Sequence, residues 1–395
     1  MKRPGNGWWV RSFIFLAVLF GAVASAASLP EPATDADYRS YPSAWARLGQ
    51  VLFYDRVLSG TYRVSCATCH HHDRGSSNGA RLDGREETVG DALATGGHEA
   101  YNALKPSARA APTLFNLGAH EFKTLFLDGR VSEVDGTFAS PVGSELPKGL
   151  RDILAVQALF PTITGDELVG TVDNDLKAAA RNSNRAVWDV LVARVRDLPD
   201  YVPLFTAAFM DVHSASDISI DHIANALSAF VGSEWRSDDA PFDRHLRGEN
   251  GALSGQQIHG MALFYGEASC AKCHSGTFQT DHQFHASAIL PPKIVDDVQK
   301  TDVRFLFGRF NVTGLLSDVG KVRTPSLRNV ARTPPYGIAG AVDGLAEVLD
   351  HHHGQDLPPR DRAALVAYLE SLTDPKALRG RLGKPHSVPS SLALD

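Results

Sequence analysis

The sequence predicts a mostly α-helical fold that consists of two similar modules in tandem. Apolar residues recur at helical spacing in several segments, whereas residues that favour strands cluster only around residues 309–313. The pentapeptide pattern Cys-x-x-Cys-His occurs twice, about 200 residues apart, and a predicted helix precedes each copy. A chain of 395 residues is also long enough for two or more domains.

Every cysteine of the chain lies in one of two pentapeptides, Cys66-Ala67-Thr68-Cys69-His70 and Cys270-Ala271-Lys272-Cys273-His274. Two thiols at this spacing can each add to a vinyl group of a haem, and the next histidine can bind the iron as its proximal ligand. A pair of redox or zinc sites would also use Cys-x-x-Cys, but neither requires the histidine. We therefore expect two covalently bound c-type haems, with His70 and His274 as iron ligands.

The first 26 residues are typical of a secretory signal peptide. Basic residues precede an apolar run from residue 13 to residue 23, and small residues suited to a peptidase follow it. The run is short for a membrane span, although an uncleaved anchor is the alternative. No later stretch of sequence is long and apolar enough to cross a bilayer. We expect cleavage after Ala26 and a soluble chain in the periplasm.

The charge of the mature chain argues against two classes of partner. Removal of the signal segment changes the formal net charge from −6 to about −9. No run rich in Lys or Arg remains, which argues against nucleic acid or an anionic membrane as a partner. A mildly acidic surface suits a basic redox protein, but many exported proteins share this property.

The order of the predicted elements divides the chain into two modules. Helices are predicted at 44–53, 150–160, 178–195, 220–231, 256–265 and 363–372. Residues 73–112 are poor in large apolar side chains and predict an extended loop, and the charged segment 236–251 is the predicted linker. The predicted boundaries give a signal peptide of 1–26, a flexible lead-in of 27–40, a first module of 41–240, a second module of 241–376 and a tail of 377–395.

The sixth coordination position of each iron decides between electron transfer and binding of a small oxidant. In electron-transfer cytochromes a methionine usually fills it, but Met210 and Met261 both precede the second pentapeptide. The run of histidines at 351–353 follows that pentapeptide and offers a ligand, although a solvated helix end is the alternative. Nothing after the first pentapeptide forces a strong sixth ligand, so we expect the first iron to be the reactive one.

An open iron that reduces peroxide needs a nearby acid or base that moves a proton between the two oxygens. We favour Glu167, with Gln157 ten residues earlier as a hydrogen-bonding neighbour. The sequence pattern alone does not select Glu167, because Asp135, Glu145 and Asp166 would serve equally well.

Further motifs carry a resemblance to a known family. Besides both pentapeptides, they are Leu48-Gly49 to Leu52-Phe53-Tyr54-Asp55, Pro112-Thr113-Leu114-Phe115-Asn116, Asp128-Gly129-Arg130, Pro241-Phe242-Asp243-Arg244, Gly308-Arg309-Phe310-Asn311-Val312-Thr313-Gly314 and Thr324-Pro325-Ser326-Leu327-Arg328-Asn329-Val330. With these motifs in this order, the chain resembles the bacterial dihaem cytochrome c peroxidase superfamily, which also contains MauG. The resemblance covers residues 48–372 and implies two cytochrome c-like haem domains that face one another.

The resemblance also implies roles for particular residues. The family's distal-pocket pattern falls on Gln157, Pro161 and Glu167, which makes Glu167 the acid/base over the first haem, with Glu145 as the runner-up. The second haem's variable axial ligand, a methionine in the peroxidases and a tyrosine in MauG, falls on His352. We therefore expect His352 to be the sixth ligand of the second iron.

Three departures from the family pattern weaken parts of this assignment. The family's relay tryptophan between the haems is replaced by Leu127, after Phe126. The asparagine that binds an inter-domain calcium is replaced within Ala110-Ala111, although Thr333 and Pro335 stand where carbonyl ligands would lie. The resemblance thus implies a calcium ion that the sequence supports only in part. The aromatic-His-Asp-Gly motif near the second haem is also absent, with residues 337–340 in its place.

By resemblance, the chain is an enzyme that reduces hydrogen peroxide to water with electrons from a small c-type cytochrome or cupredoxin. A MauG-like oxidase, which uses peroxide to modify residues of a partner protein, is the first alternative. The lack of a downstream methionine favours it, and the loss of the relay tryptophan argues against it. A dihaem electron carrier without enzymatic activity is the second alternative, and the family also contains homodimers.

Overall fold

A computed structural model describes residue 1 and residues 28–77, 111–165, 167–170, 172–286, 307–337, 340, 342–353 and 356–394. The helices are α1 (Ser43–Tyr54), α2 (Cys66–Cys69), α3 (Ile153–Ala158), α4 (Asp175–Ala180), α5 (Asn184–Arg196), α6 (Val202–Ala208), α7 (Ile220–Glu234), α8 (Pro241–Leu246), α9 (Gly255–Tyr265), α10 (Phe310–Thr313), α11 (Leu345–His353), α12 (Pro359–Glu370) and α13 (Pro375–Arg379). Short 3-10 turns join several of them. The predicted mostly α-helical class is confirmed.

The strands are short and form two small antiparallel sheets. They are β1 (Thr124–Leu125), β2 (Val131–Val134), β3 (Thr137–Ala139), β4 (Phe284–Ala286) and β5 (Lys321–Arg323). In the first sheet the order is β1-β2-β3, with Leu125 opposite Val131. In the second sheet β4 pairs with β5, with Phe284 opposite Arg323.

Buried apolar side chains form two separate clusters. The first cluster contains most of the buried side chains between residues 33 and 235, including Trp188 and Phe230. The second cluster lies between residues 242 and 372 and includes Phe242 and Tyr368. Each cluster contains an alanine from one pentapeptide, so each pentapeptide is attached to its own core.

One helix crossing is repeated in both clusters. Gly49 of α1 lies against α7, where an added Cβ would be 1.9 Å from the Ala226 carbonyl oxygen and 2.8 Å from Phe230 Cβ. Gly260 of α9 lies against α12 in the same way, 1.9 Å from the carbonyl oxygen of Ala364. Glycine permits this close approach because it has no Cβ. The helix before each pentapeptide is therefore fixed by equivalent contacts.

The C-terminal tail returns to the first cluster. Ala377 and Val388 are buried there, although α13 follows the second cluster in sequence. Glu234, at the end of α7, is fully buried and accepts hydrogen bonds from the backbone N–H groups of residues 381–383, at 3.1, 2.6 and 2.9 Å. At Gly380, which has a φ of +67°, a Cβ would lie 1.9 Å from Glu234 Oε1, so this turn requires glycine.

The helix predicted at 178–195 is wrong in its extent, because α4 and α5 occupy this region. Asn174 Oδ1 accepts a hydrogen bond from the backbone N–H of Lys177 at 2.9 Å. Ser183 Oγ accepts one from the backbone N–H of Ala186 at 3.1 Å. Asn and Ser favour the position before a helix, because their oxygens satisfy its first N–H groups, and they start two helices here instead of one.

Two further predictions differ from the structure. The residues that suggested a strand around 309–313 form α10, which ends at Gly314 with a φ of +66°. The predicted linker at 236–251 contains α8, and its Phe242 is fully buried in the second cluster. Pro241 occupies the first turn of α8, where its fixed φ favours a helix.

Some predicted segments lie outside the described residues. These are the signal segment at 1–26, apart from residue 1, and most of the loop at 73–112. Within the described ranges, no helix has the length and apolar character that a bilayer span requires.

Replacement of Gly260 with alanine is expected to destabilise the second cluster. The new Cβ would lie 1.9 Å from the Ala364 carbonyl oxygen, so α9 and α12 would have to move apart. Overpacking of this kind costs about 1–3 kcal/mol of unfolding free energy. Urea unfolding followed by circular dichroism measures the loss. Gly255→Ala in the same helix is the control, because nothing lies within 4 Å of a Cβ there. Equal stability of the Gly260→Ala and native proteins would contradict the close crossing.

Candidate haem sites and active site

The two pentapeptides form single turns that place their cysteines on one side. In α2, Ser65 Oγ accepts a hydrogen bond from the Ala67 N–H at 3.1 Å, and the Ser65 N–H donates to Thr68 Oγ1 at 2.8 Å. Cys270 begins a 3-10 turn in the second pentapeptide. Residues three apart share a face of such a turn, so both thiols of a pair can reach one haem edge.

The two histidines have the same hydrogen-bonding arrangement. His70 Nδ1 lies 2.9 Å from the Ser76 carbonyl oxygen, and His274 Nδ1 lies 3.3 Å from that of Gln279. A carbonyl oxygen only accepts, so Nδ1 donates and Nε2 keeps the lone pair that binds a metal. Burial lowers the pKa of His70, and it lowers that of His274 to about 4. Both rings are therefore neutral at neutral pH, as iron ligation requires.

The donor set fits a covalently attached haem. None of the four cysteines is in a disulfide. Burial raises the pKa of the Cys270 thiol to about 11, and it also raises that of Cys273. Both thiols are therefore protonated at neutral pH. Each histidine with its carbonyl partner supplies one oriented imidazole nitrogen, which is the proximal ligand of a c-type haem.

Aromatic side chains pack beside His70. The Phe53 ring centroid lies 6.5 Å from that of His70 and 5.5 Å from that of Trp235. Phe230 contacts both Phe53 and Trp235 at 5.1 and 5.5 Å. These three aromatic side chains are buried, so they exclude water from this side of the imidazole.

His72, two residues after His70, connects the first pentapeptide to the tail. Its Nε2 lies 2.9 Å from the Arg379 carbonyl oxygen, and the Tyr54 hydroxyl lies 3.3 Å from its Nδ1. The Glu234 carboxylate is 3.9 Å from the same Nδ1. No sequence pattern predicts this role, because Arg379 contributes a backbone atom from a distant part of the chain.

The predicted distal residues lie in α3 and in the turns that follow it. α3 contains Gln157, and a 3-10 turn begins at Pro161. The Leu168 N–H donates to the Pro161 carbonyl oxygen at 3.0 Å, which holds Glu167 next to that turn. The Gly60 N–H donates to the Leu168 carbonyl oxygen at 2.7 Å, and Gly60 lies in the chain that leads into α2. Gln157 and Glu167 are both half-buried.

The other acids proposed for the same role have different surroundings. Glu145 Oε2 accepts a hydrogen bond from the Arg185 N–H at 3.2 Å, and its Oε1 lies 3.5 Å from Asn184 Nδ2. Glu145 is thus bound to the start of α5, where a negative charge stabilises the helix. Asp135 is exposed in the turn between β2 and β3, and Asp166 lies outside the described residues.

Phe126 connects the predicted relay position to the 3-10 turn that begins at Pro161. It has a φ of +65°, and its ring lies 5.5 Å from that of Phe160 in an edge-on contact. The Arg130 guanidinium stands 3.7 Å above the Phe126 ring and pairs with Asp128 at 3.1 Å. Leu127 stands where the family resemblance predicts a relay tryptophan, so Phe126 is the aromatic side chain next to that position.

His352 lies near the C-terminal end of α11. Its side chain is exposed, and its Nδ1 is 3.0 Å from the Val348 carbonyl oxygen, which leaves Nε2 for a ligand. Burial lowers the pKa of His274 most, and repulsion from His352 lowers it further. Met261 is buried in the second cluster, and Met210 is 96 % exposed beside the first.

The predicted calcium site is described only in part. The Ala111 carbonyl oxygen accepts a hydrogen bond from Ser77 Oγ at 2.9 Å, and Ala110 lies outside the described residues. Thr333 Oγ1 donates to the Val330 carbonyl oxygen at 3.0 Å. Calcium binding stays a prediction.

Comparison with known proteins identifies similar sequences. Residues 43–251 match the family model described as di-haem cytochrome c peroxidase. The methylamine utilization protein MauG of Methylorubrum extorquens is 30% identical over 347 residues, which cover 84% of this chain and 79% of that protein. The cytochrome-c peroxidase IdrP2 of Denitromonas iodatirespirans is 26% identical over 392 residues, which cover 92% of this chain and 91% of that protein.

A solved structure shows the same arrangement of the chain. It is the crystal structure of a MauG-like protein associated with microbial copper homeostasis. The TM-score is 0.62 at 25% sequence identity, and the alignment covers 89% of this chain and 95% of that one.

Replacement of both cysteines in one pentapeptide is expected to remove one covalent haem. Without thiols no thioether can form, while the other pentapeptide keeps its own turn and histidine. Acid extraction followed by pyridine haemochrome spectra should therefore find one covalent haem per chain in Cys66→Ala/Cys69→Ala, against two in the native protein. Cys270→Ala/Cys273→Ala is the reciprocal control. Two covalent haems in either variant would contradict the attachment sites.

Proposed function

This chain belongs to the di-haem cytochrome c peroxidase family, and we propose that it reduces hydrogen peroxide to water in the periplasm with electrons from a small redox protein. Membership makes the chain an oxidoreductase that acts on peroxide and carries two c-type haems. The observation that supports the proposal is the segment from α3 to Leu168, which carries Gln157, Pro161 and Glu167 and is hydrogen-bonded to Gly60 in the chain that leads into α2.

Cys66, Cys69 and His70 would hold the first haem, which would supply an iron that binds peroxide and the electrons that reduce it. Reduction of one peroxide molecule consumes two electrons and two protons and releases two water molecules. Glu167 accepts the proton from the oxygen nearer the iron and transfers it to the leaving oxygen. Gln157 orients the peroxide by a hydrogen bond from its amide. Pro161 fixes the turn, because its ring restricts φ and its carbonyl oxygen accepts the Leu168 N–H.

The second haem stores or relays electrons. His274 would hold the iron of this haem through Nε2, and His352 would be its second protein ligand in place of a methionine. The position of His352 at the end of α11, with Nδ1 bonded to a carbonyl oxygen, supports this role, since Nε2 is then the nitrogen with a lone pair. The electron donor is a small c-type cytochrome or a cupredoxin, which meets an acidic chain.

A MauG-like oxidase is the second candidate, and one observation favours it. Neither Met210, exposed beside the first cluster, nor Met261, buried in the core of the second, is placed as a sixth ligand downstream of His274. A histidine ligand would stabilise a more oxidised second iron than a methionine would. In this version, peroxide is used to modify residues of a partner protein. Rapid oxidation of a reduced small cytochrome by peroxide, with no modified partner, distinguishes the peroxidase from the oxidase.

Replacement of Glu167 with glutamine is expected to reduce peroxide turnover. Glutamine keeps the size of the side chain but cannot carry the proton, and loss of a general acid/base costs about 10²- to 10⁴-fold in rate. Steady-state oxidation of a reduced small cytochrome c by peroxide measures kcat/KM.

Glu145→Gln is the matched control for this experiment. Its carboxylate binds the start of α5, so its loss should affect stability slightly and kcat/KM by less than about threefold. Unchanged turnover in Glu167→Gln, or an equal loss in both variants, would remove Glu167 from the mechanism.

Replacement of His352 with methionine is expected to change the ligation of the second haem only. The electron paramagnetic resonance signal of that haem should change from one typical of two histidine ligands to one typical of histidine and methionine. Its midpoint potential should rise, because methionine stabilises the ferrous state.

His351→Met is the control, because the neighbouring side chain is also exposed at the end of α11. It should leave the spectrum and both potentials unchanged. An identical shift from both variants, or none from His352→Met, would show that another group is the sixth ligand.

A further inference from the structure

Arg323 lies where the second module meets the first. It is the last residue of β5, which pairs with β4. Its backbone N–H donates to the Leu127 carbonyl oxygen at 2.9 Å, and its side-chain Nε donates to the Phe126 carbonyl oxygen at 3.3 Å. The guanidinium is thus held beside the position that lies between the two haem sites in the family resemblance.

The Arg323 guanidinium is buried without a counter-charge in the described part of the chain. Its Nη1 atom is inaccessible to solvent and has no hydrogen-bond partner among the described residues. Burial lowers the pKa of Arg323 to about 10, and no carboxylate opposes this shift. A buried cation is stable only when paired or fully hydrogen-bonded, so this side chain needs an anion.

Two other buried arginines of this chain pair with a carboxylate. Arg328 and Asp243 are both fully buried and pair at 2.6 Å. Arg194, which is mostly buried, pairs with Asp175. Arg323 differs because its guanidinium faces no described carboxylate, although Nε has a carbonyl partner. The missing partner is therefore an anion that none of the described residues supplies.

The position of Arg323 in the second module points to the second haem. Two residues later, the Pro325 carbonyl group is close enough to hydrogen-bond the His274 ring. Between them, the Thr324 carbonyl oxygen accepts a hydrogen bond from Thr280 Oγ1 at 2.7 Å, which ties β5 to the segment that follows His274. β5 and the predicted iron ligand are therefore rigidly connected.

We propose that Arg323 binds a propionate carboxylate of the haem attached at Cys270, Cys273 and His274. A planar guanidinium presents parallel N–H groups that match the two oxygens of a carboxylate. The propionate supplies the negative charge that the described residues lack around Nη1. The inference rests on the two c-type haems of the family and does not depend on the peroxidase reaction.

This pairing has a consequence for the second haem. A propionate that is neutralised by Arg323 no longer stabilises the ferric iron by its negative charge, so the ferrous state is relatively favoured. Arg323 is thus a positioning residue that holds the haem edge at the module junction and raises the midpoint potential of the second iron.

The test is a spectroelectrochemical titration of the dihaem protein, with electron paramagnetic resonance used to assign each transition to a haem. In Arg323→Gln, the midpoint potential of the second haem should fall and that of the first should stay unchanged. Arg360→Gln is the matched control, because it removes the same charge from an exposed position on α12. It should change neither potential. No shift in Arg323→Gln, or a shift confined to the first haem, would overturn the proposal.

A second variant covers the case in which Arg323→Gln does not fold. Arg323→Lys keeps the charge but cannot pair with both carboxylate oxygens. Its second-haem potential should fall by less than in Arg323→Gln, and a potential equal to the native value would overturn the paired geometry. Since potentials are read without turnover, a failed Glu167→Gln test would leave this result intact.

A dissolved anion is the other source of negative charge, and the same titration distinguishes it. The native potential should be the same in chloride and in gluconate at constant ionic strength, because the propionate is part of the haem. The replacement of chloride by gluconate could instead change the native potential by as much as the Arg323→Gln substitution does. That result would show that Arg323 binds a free anion.

Discussion

In each half of the molecule, a hydrogen bond from histidine Nδ1 to a backbone carbonyl oxygen decides what the site can do. The bond from His70 to Ser76 and the bond from His274 to Gln279 both fix which ring nitrogen keeps its lone pair. Both acceptors are main-chain atoms, so their position depends on how the chain is held after each pentapeptide. The helix crossings at Gly49 and Gly260 hold the chain that precedes each pentapeptide. Ligand geometry is thereby set by backbone packing and needs no acidic partner for either histidine.

The two halves share this framework and differ in what surrounds it. In the first half, Glu167 is the proposed proton-transferring group, and buried aromatic side chains such as Phe53 exclude water from one side of His70. Near the second, His352 is the proposed sixth ligand in place of a methionine, and Arg323 adds positive charge where β5 meets residues 126 and 127. In the proposed function, one half acts on a small oxidant and the other holds and releases electrons.

The sequence predicted the features that depend on local patterns. The spacing of Cys66, Cys69 and His70 encodes attachment and ligation within one turn, and helical periodicity located most of the helices. The break between α4 and α5 was missed because the apolar pattern continues across Ser183, whose cap outweighs it. The choice of Glu167 needed the family pattern, since the sequence alone did not separate it from Glu145. Arg323 and Glu234 gave no signal, because their roles depend on burial and on backbone groups distant in sequence.

The returning tail gives the molecule a second covalent connection between its halves. The chain passes from one core to the other around Ser237 and comes back around Asp374, whose Oδ2 accepts the backbone N–H groups of Asp238 and Asp239 at 3.1 and 2.9 Å. The two passages are thus fastened to each other. A swing of one half about a single hinge would stretch the other passage and pull the tail from Glu234. The distance between the two pentapeptides is consequently restrained by the course of the polypeptide itself, and not only by the surfaces that meet between the two cores.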